Sequence, residues 1–201
     1  MMRNILILGA GKSSIALIDY LVGQAAEQQW HITVADVTAE LAVQKTKKRA
    51  HTEALGFDLN NDTERKALIA KADIVISMLP AALHITVAQD CLALKKNLVT
   101  PSYISDAMQA MAKDVEDAGL IFMNEMGLDP GIDHMSAMQL LDELKAKGAT
   151  FTGFASHCGG LVAPESDDNP WHYKFTWNPR NVILAGQGAG GIHYLHEGKK
   201  V

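Results

Sequence analysis

Cysteine is scarce in this chain. Cys91 and Cys158 are the only two, too few for a disulfide framework, and a reducing compartment is the expectation. An excess of positive charge is also missing. Lysine and arginine total 18 against 23 aspartates and glutamates, and the net charge of −5 disfavours unspecific attraction to nucleic acid or to an anionic membrane surface. The one basic run, "KTKKR" at 45–49, falls in a helical pattern and reads as a solvated helix face. No apolar stretch reaches the length needed to cross a bilayer. No secretory leader is visible, because "MMRNILILGAG" runs directly into a strand and a glycine loop; a cytoplasmic location is expected. No internal repeat is found. Asp133, His134, His157 and Cys158 match no zinc spacing, so core or polar-network roles are expected for them and no metal.

What remains is ordinary for a globular chain, with 48% apolar and 20% charged residues, and it alternates strand with helix. Strands are read at 4–9, 31–36, 53–59, 73–79, 97–102 and 120–124. Helices are read at about 12–26, 38–52, 62–71, 81–94 and 104–118. Apolar strands separated by helices predict a parallel sheet covered on both faces, with right-handed crossovers. After residue 124 the texture changes: "EMGLDPGID" breaks the pattern and a helix spans about 132–147. The expected fold is α/β: a Rossmann-type doubly wound parallel sheet over 1–130, followed over 131–201 by the start of a second α/β domain that binds substrate. In that second part a strand near Thr150 and the apolar "NVILAG" at 181–186 should need sheet neighbours. Met123, Met126, Met135 and Met138 read as core filler, and Cys91 as a core residue of an amphipathic helix.

The loop "GAGKSS" contains Gly11-Lys12-Ser13, which invites an ATPase reading. A P-loop would need its first glycine at position 6, and Leu6 lies inside the strand, so that reading fails on spacing. The dinucleotide pattern fits. Gly9 permits the tight turn, Gly11 lets the backbone approach a pyrophosphate, and Ser14 is small enough for helix–strand packing. Amides at the helix start favour the anion, which makes Lys12 and Ser13 cofactor-side residues as well. Asp36 ends the second strand, 25 residues after Gly11, where a carboxylate accepts bonds from ribose hydroxyls and repels a 2′-phosphate. NAD is therefore expected over NADP. Leu79 and Pro80, closing the fourth strand, complete the cofactor-side candidates. The competing reading is a plain tight turn, with Asp36 capping the next helix.

"LILGAGKSS", "TPSYIS" (100–105), "NEMGLDPGIDHM" (124–135) and "HCGGLVAPESDDNPWHYKFTWNPRNVILA" (157–185) together resemble the L-glutamate-forming saccharopine dehydrogenase (saccharopine reductase) family, in its N-terminal portion. The resemblance implies an oxidoreductase of amino-acid and lysine metabolism. Such enzymes interconvert saccharopine with glutamate plus 2-aminoadipate 6-semialdehyde by hydride transfer to or from NAD(P). Some NADP-using members carry an arginine close to where Asp36 stands here. "GGLV" and "PRN" depart from the commoner Gly-Gly-Leu-Pro and Pro-Arg-Gly. Family members are much longer, so these residues alone are expected to bind cofactor without turnover. Two other readings stay open: a carboxynorspermidine-type imine reductase, and a non-catalytic dinucleotide-binding module.

By the same match, Tyr103, Asp129 and Cys158 are the catalytic candidates. Ser102, Tyr103, Asp129, Cys158, Gly159 and Trp171 are the substrate-side candidates. Asp129 could hold the ammonium group or move a proton, although aspartate before proline is also a common turn residue. Tyr103 could equally pack at the domain edge. Cys158 is not proposed as a nucleophile, because hydride transfer to an imine needs none; the Gly159-Gly160 pair beside it suggests close approach of a ligand. Trp171, Tyr173 and Trp177 either wall the substrate cavity or form a small hydrophobic cluster. The expected partners are a small amino-acid substrate and further copies of the chain in a homo-oligomer, with neither nucleic acid nor membrane.

Overall fold

The computed structural model describes residues 2–160, 162–175, 179–185 and 195–200. Two compact units are distinguished, 1–156 and 157–201.

The first unit holds a six-stranded sheet. β1 (Arg3–Leu8), β2 (Trp30–Asp36), β3 (Thr52–Gly56), β4 (Ile74–Ser77), β5 (Asn97–Val99) and β6 (Phe122–Met123) lie in the order β3-β2-β1-β4-β5-β6. Every pairing is parallel. Crossovers are made by α1 (Ile15–Gln28), α2 (Ala39–Thr46), α3 (Asp62–Lys71), α4 (His84–Ala93) and the pair α5 (Asp106–Ala110) and α6 (Ala112–Asp117). α7 (Ile132–Ala146) follows the sheet. The doubly wound expectation is met, and the order reverses between β1 and β4, the switch point beyond whose strand ends sheets of this kind have their ligand crevice.

The sequence produces this because β1 is apolar on both faces. Alternate residues point to opposite sides of a strand. Leu6 and Leu8 join Val75, Ile69, Val87, Cys91 and Leu98 in one core, and Ile5 and Ile7 join Ile18, Val22, Ile32 and Val34 in the other. Leu8, Ile7, Ile32 and Val75 have no measurable exposure. Each such side chain contributes roughly 1.5–3 kcal/mol on burial. Beneath the first core Arg65 of α3, 4% exposed, donates to Asp90 of α4 at 2.5 Å and to the Leu59 carbonyl, and pairs with Asp62 at 2.8 Å. The tie fixes α3 against α4. Asn61 caps α3 by accepting from the Glu64 N–H, and Ser105 caps α5 by accepting from the Met108 N–H, both at 3.2 Å.

Several boundaries differ from the sequence reading. α2 stops at Thr46 because Lys47 and Lys48 turn left-handed (φ 53° and 51°) to reach β3. The basic run thus sits at a helix end, where Lys47 and Arg49 pair with Asp19 at 3.5 and 2.6 Å. The single helix expected over 104–118 is two, meeting at Met111. The methionines are not core filler: Met123, Met126, Met135 and Met138 are 38–50% exposed, and α7 buries none of its residues. No strand forms near Thr150 among the described residues.

In the second unit a 3-10 turn (Pro164–Ser166) precedes α8 (Pro179–Ala185), and β7 (Leu195–His196) pairs antiparallel with β8 (Lys199–Lys200). "NVILAG" thus contributes its first residues to a helix, not a strand, as proline at the first helical position favours. Glu197 and Gly198 both have positive φ (50° and 74°), which suits a tight two-residue hairpin turn. The Asp- and Asn-rich loop bonds to itself: Lys174 reaches Asp168 at 2.8 Å and Asn169 reaches the Tyr173 carbonyl at 3.1 Å. The Tyr173 and Phe175 rings meet edge-to-face at 5.6 Å. Trp177, the glycine-rich segment 186–191 and His193 lie outside the described residues. Among the described residues no helix is long and apolar enough to cross a membrane.

Candidate functional site

The C-terminal ends of β2, β1, β4 and β5 lie side by side and carry most of the residues singled out above. At the β1 end Gly9 adopts φ +106°, and its N–H donates to the Ala35 carbonyl at 2.8 Å. A Cβ at Gly9 would lie 2.9 Å from the Met78 carbonyl oxygen, so the turn closes only with glycine there. At Gly11 nothing lies within 4 Å of an added Cβ, which leaves an open approach to the backbone. Lys12, Ser13 and Ser14 form a 3-10 turn into α1; Lys12 and Ser13 are exposed, whereas Ser14 is buried and donates to the Gly11 carbonyl at 2.9 Å. A tight glycine, an open glycine and a helix start form a cradle that fits a pyrophosphate.

Asp36, half-buried at the end of β2, accepts the Ala10 N–H on Oδ2 at 2.5 Å. That bond holds the carboxylate beside the glycine loop, with capacity left for further donors. Leu79 and Pro80 follow β4. Leu79 packs on the core beneath, and Pro80 begins the turn into α4 by accepting the Leu83 N–H at 2.9 Å.

The β5 side is built by a zipper between two loops. The Met126 N–H donates to the Thr100 carbonyl and the Glu125 N–H to the Ser102 carbonyl, both at 3.0 Å. Thr100 reaches the Asn124 side chain at 3.2 Å, and Glu125 accepts the Ile104 N–H at 3.2 Å. The chain then turns through Gly127–Gly131, where a Cβ on Gly131 would come within 2.2 Å of the Gly127 carbonyl oxygen. The Asp129–Pro130 peptide in this turn is cis. The zipper carries Asp129 to Tyr103, whose hydroxyl donates to Asp129 Oδ1 at 3.0 Å. Although Tyr103 is 65% exposed, partial desolvation and then the Asp129 carboxylate beside it push its phenol above the usual range, so it stays a donor. Asp133 accepts the Gly131 N–H at 3.1 Å and meets His134 Nδ1 at 2.7 Å. Asp129, Asp133 and His134 thus form a surface polar cluster, with ligand-type atoms within 4.8 Å of one another.

One residue central to this edge escaped the sequence reading. His84, 3% exposed at the first turn of α4, lies 2.8 Å through Nδ1 from Ser77 Oγ and 2.9 Å through Nε2 from Ser102 Oγ. Burial lowers its pKa to about 4, so the ring is neutral near pH 7. The available signal was a serine ending a β-branched strand and a histidine opening the next helix, a pattern that specifies no contact by itself.

Cys158, Gly159 and Trp171 belong to the second unit. The Cys158 thiol is exposed, a Cβ on Gly159 would meet nothing within 4 Å, and Trp171 is 83% exposed.

Comparison with known proteins agrees with this geometry. Residues 5–123 match the saccharopine dehydrogenase NADP binding domain, and residues 127–201 match the saccharopine dehydrogenase C-terminal domain. The chain is 40% identical to the NADP(+), L-glutamate-forming saccharopine dehydrogenase of Pyricularia oryzae over 95% of its own length and 42% of that protein. It is 39% identical to the mitochondrial alpha-aminoadipic semialdehyde synthase of Bos taurus over 90% of its length and 19% of that protein. The apo L-Glu-forming saccharopine dehydrogenase from Saccharomyces cerevisiae superposes with a TM-score of 0.83 at 37% identity, covering 99% of this chain and 43% of that one. The chain therefore spans less than half the length of these relatives. A glycine cradle, an acid at the second strand end and two matched domain models together place it: the chain belongs to the saccharopine dehydrogenase family, and its first domain is built to hold a nicotinamide dinucleotide.

Proposed function

We propose that this chain is the cofactor-binding and partial substrate-binding portion of an enzyme that interconverts saccharopine with glutamate and 2-aminoadipate 6-semialdehyde. The observation that carries this reading is the hydroxyl–carboxylate pair of Tyr103 and Asp129, on the same sheet edge as the glycine loop. The nicotinamide dinucleotide supplies hydride chemistry when bound. Gly9, Gly11 and the turn Lys12–Ser14 would hold its pyrophosphate, Asp36 its ribose, and Leu79 and Pro80 would lie along its nicotinamide side. Asp129 provides the acceptor for the cationic amine of saccharopine. Tyr103, bonded to one Asp129 oxygen, orients that carboxylate and can pass a proton to or from it. Ser102 serves one of the carboxylates. Cys158, Gly159 and Trp171 remain substrate-side assignments from the family match.

Two finer features belong to the same proposal. NAD(H) is preferred over NADP(H), because the Asp36 carboxylate would face a 2′-phosphate with like charge; this departs from the NADP(+) in the Pyricularia relative's name. The 201 residues bind cofactor, and turnover belongs to a protein of the relatives' full length. The test is a fluorescence titration of these residues with NADH and NADPH, beside turnover assays of a protein of the relatives' full length with saccharopine and with carboxynorspermidine. Tighter NADH binding, narrowed by Asp36→Ser, is expected. Equal or tighter NADPH binding would refute the cofactor assignment, and a preference for carboxynorspermidine would refute the substrate.

A further inference from the structure

Ser77, His84 and Ser102 form a file of three hydrogen-bonding groups running from the core to the crevice, and the order of burial along it fixes its direction. Ser77 Oγ is at the dry end: the residue is fully buried, and among the described residues His84 Nδ1 at 2.8 Å is its one partner. If Nδ1 carried the hydrogen and donated it, the Ser77 hydroxyl hydrogen would be shut in the core with no acceptor, an arrangement native structures avoid. Ser77 is therefore the donor and Nδ1 the acceptor. A neutral imidazole has one N–H, which must then sit on Nε2 and be donated to Ser102 Oγ at 2.9 Å. Ser102 accepts from the inside. Its own hydrogen is left over, on a half-buried residue at the open end of the file.

We infer that Ser77 and His84 are positioning residues that hold the Ser102 hydroxyl as an outward-pointing donor for a substrate carboxylate. The neighbouring residue gives this its chemical sense. Tyr103 is committed to Asp129, so the Tyr103–Asp129 pair presents a carboxylate acceptor while Ser102 presents a donor. Two adjacent groups of opposite polarity suit the amine and carboxylate of an amino-acid substrate. Were the file reversed, Ser102 would donate inward and offer a carboxylate only lone pairs. The inference rests on the substrate reading above, but the direction of the file is measurable without any substrate.

The experiment is a two-bond 1H–15N spectrum of the 15N-histidine-labelled protein at pH 7, with the His84 signals assigned by their loss in His84→Asn. The Nε2–H tautomer is expected. Ser77→Ala removes the inner donor without touching the crevice and should populate the Nδ1–H form. In a protein of the relatives' full length it should also weaken saccharopine binding about tenfold, the loss of one hydrogen bond to a charged group, while NADH affinity changes by less than about twofold. His84→Gln, whose amide N–H can reach Ser102, should retain saccharopine binding that His84→Leu loses. In the His84→Gln background Ser77→Ala should add nothing. An Nδ1–H or doubly protonated ring in the unaltered protein overturns the inference, as does Ser77→Ala leaving both tautomer and saccharopine affinity unchanged. The expected tautomer with no saccharopine binding by a protein of the relatives' full length overturns the substrate reading instead.

Discussion

Gly9 and Gly11 sit two residues apart in one loop, yet the same added methyl should act on them in opposite directions. At Gly9 an alanine Cβ would lie 2.9 Å from the Met78 carbonyl oxygen and 3.0 Å from its carbon, on a backbone at φ +106°. Both contacts are main chain, and the Met78 N–H is itself fastened to the Leu8 carbonyl at 2.8 Å, so neither atom can swing aside. Holding a non-glycine residue in such a region costs about 1–3 kcal/mol. Overpacking adds about 1–3 kcal/mol, and the stiffer unfolded chain offsets about 0.4–1 kcal/mol. Gly9→Ala should therefore lose about 2–5 kcal/mol of stability. At Gly11 the backbone (φ −67°, ψ −175°) is open to any residue and an added Cβ meets nothing within 4 Å. Gly11→Ala should gain about 0.4–1 kcal/mol. Its methyl would nevertheless occupy the space reserved for the pyrophosphate, and NADH affinity should fall at least about tenfold. Urea unfolding followed by far-UV circular dichroism, with NADH titration of the same preparations, reads both quantities. A Gly11→Ala protein as destabilised as Gly9→Ala, or one that binds NADH normally, would refute the division of labour between the two glycines.

Buried His84 makes stability depend on pH. Its pKa falls from 6.5 to about 4 on folding, so the unfolded chain takes up the proton first. Stability is therefore full above about 6.5 and is lost as pH drops toward 4, by up to about 3 kcal/mol; His84→Gln should flatten that slope in unfolding curves between pH 7 and 4. Asp90→Ala should cost about 3 kcal/mol by removing the buried carboxylate of the Arg65 pair and leaving the guanidinium only the exposed Asp62 and the Leu59 carbonyl, whereas the pair Arg65→Met with Asp90→Leu should cost less, which paired denaturation curves would decide. Thiol titration should label Cys158 in the native protein and Cys91 only after denaturation, because Cys91 is fully buried and desolvation, with Asp90 nearby, pushes its thiol up to about 12. Rapid labelling of both in the native state would contradict that packing.

The sheet was legible because its determinants are local and repetitive. "NILILG" and "DIVISML" announce strands buried on both faces, and the glycine spacing in "GAGKSS" separates a dinucleotide turn from a P-loop without any tertiary information. The place of Asp36 beside the glycine loop was legible for the same reason, since the end of the second strand is a fixed station in this fold. The Ser77–His84–Ser102 file was not, because its members are 7 and 18 residues apart and meet only through the packing of α4 across two strands. Helix ends were misjudged where positive-φ residues intervene, as at Lys47, since lysine carries no signal for that conformation. The methionines misled because a hydrophobic side chain in sequence does not say whether a neighbour is present to cover it. "NVILAG" misled because a short apolar run serves a buried strand and a helix equally well.

The strand order also bears on how such a protein can change. Asp36 ends β2 and Ser102 follows β5, and between those two strands stand β1 and β4. Three strand spacings of about 4.8 Å put roughly 14 Å between the two stations. Substitutions that far apart, with no shared hydrogen-bond partner, combine additively. Under the proposed assignments, a lineage could therefore exchange one nicotinamide cofactor for the other at the β2 end while a substrate preference carried at the β5 end stays as it was. The two specificities can drift, or be engineered, one at a time.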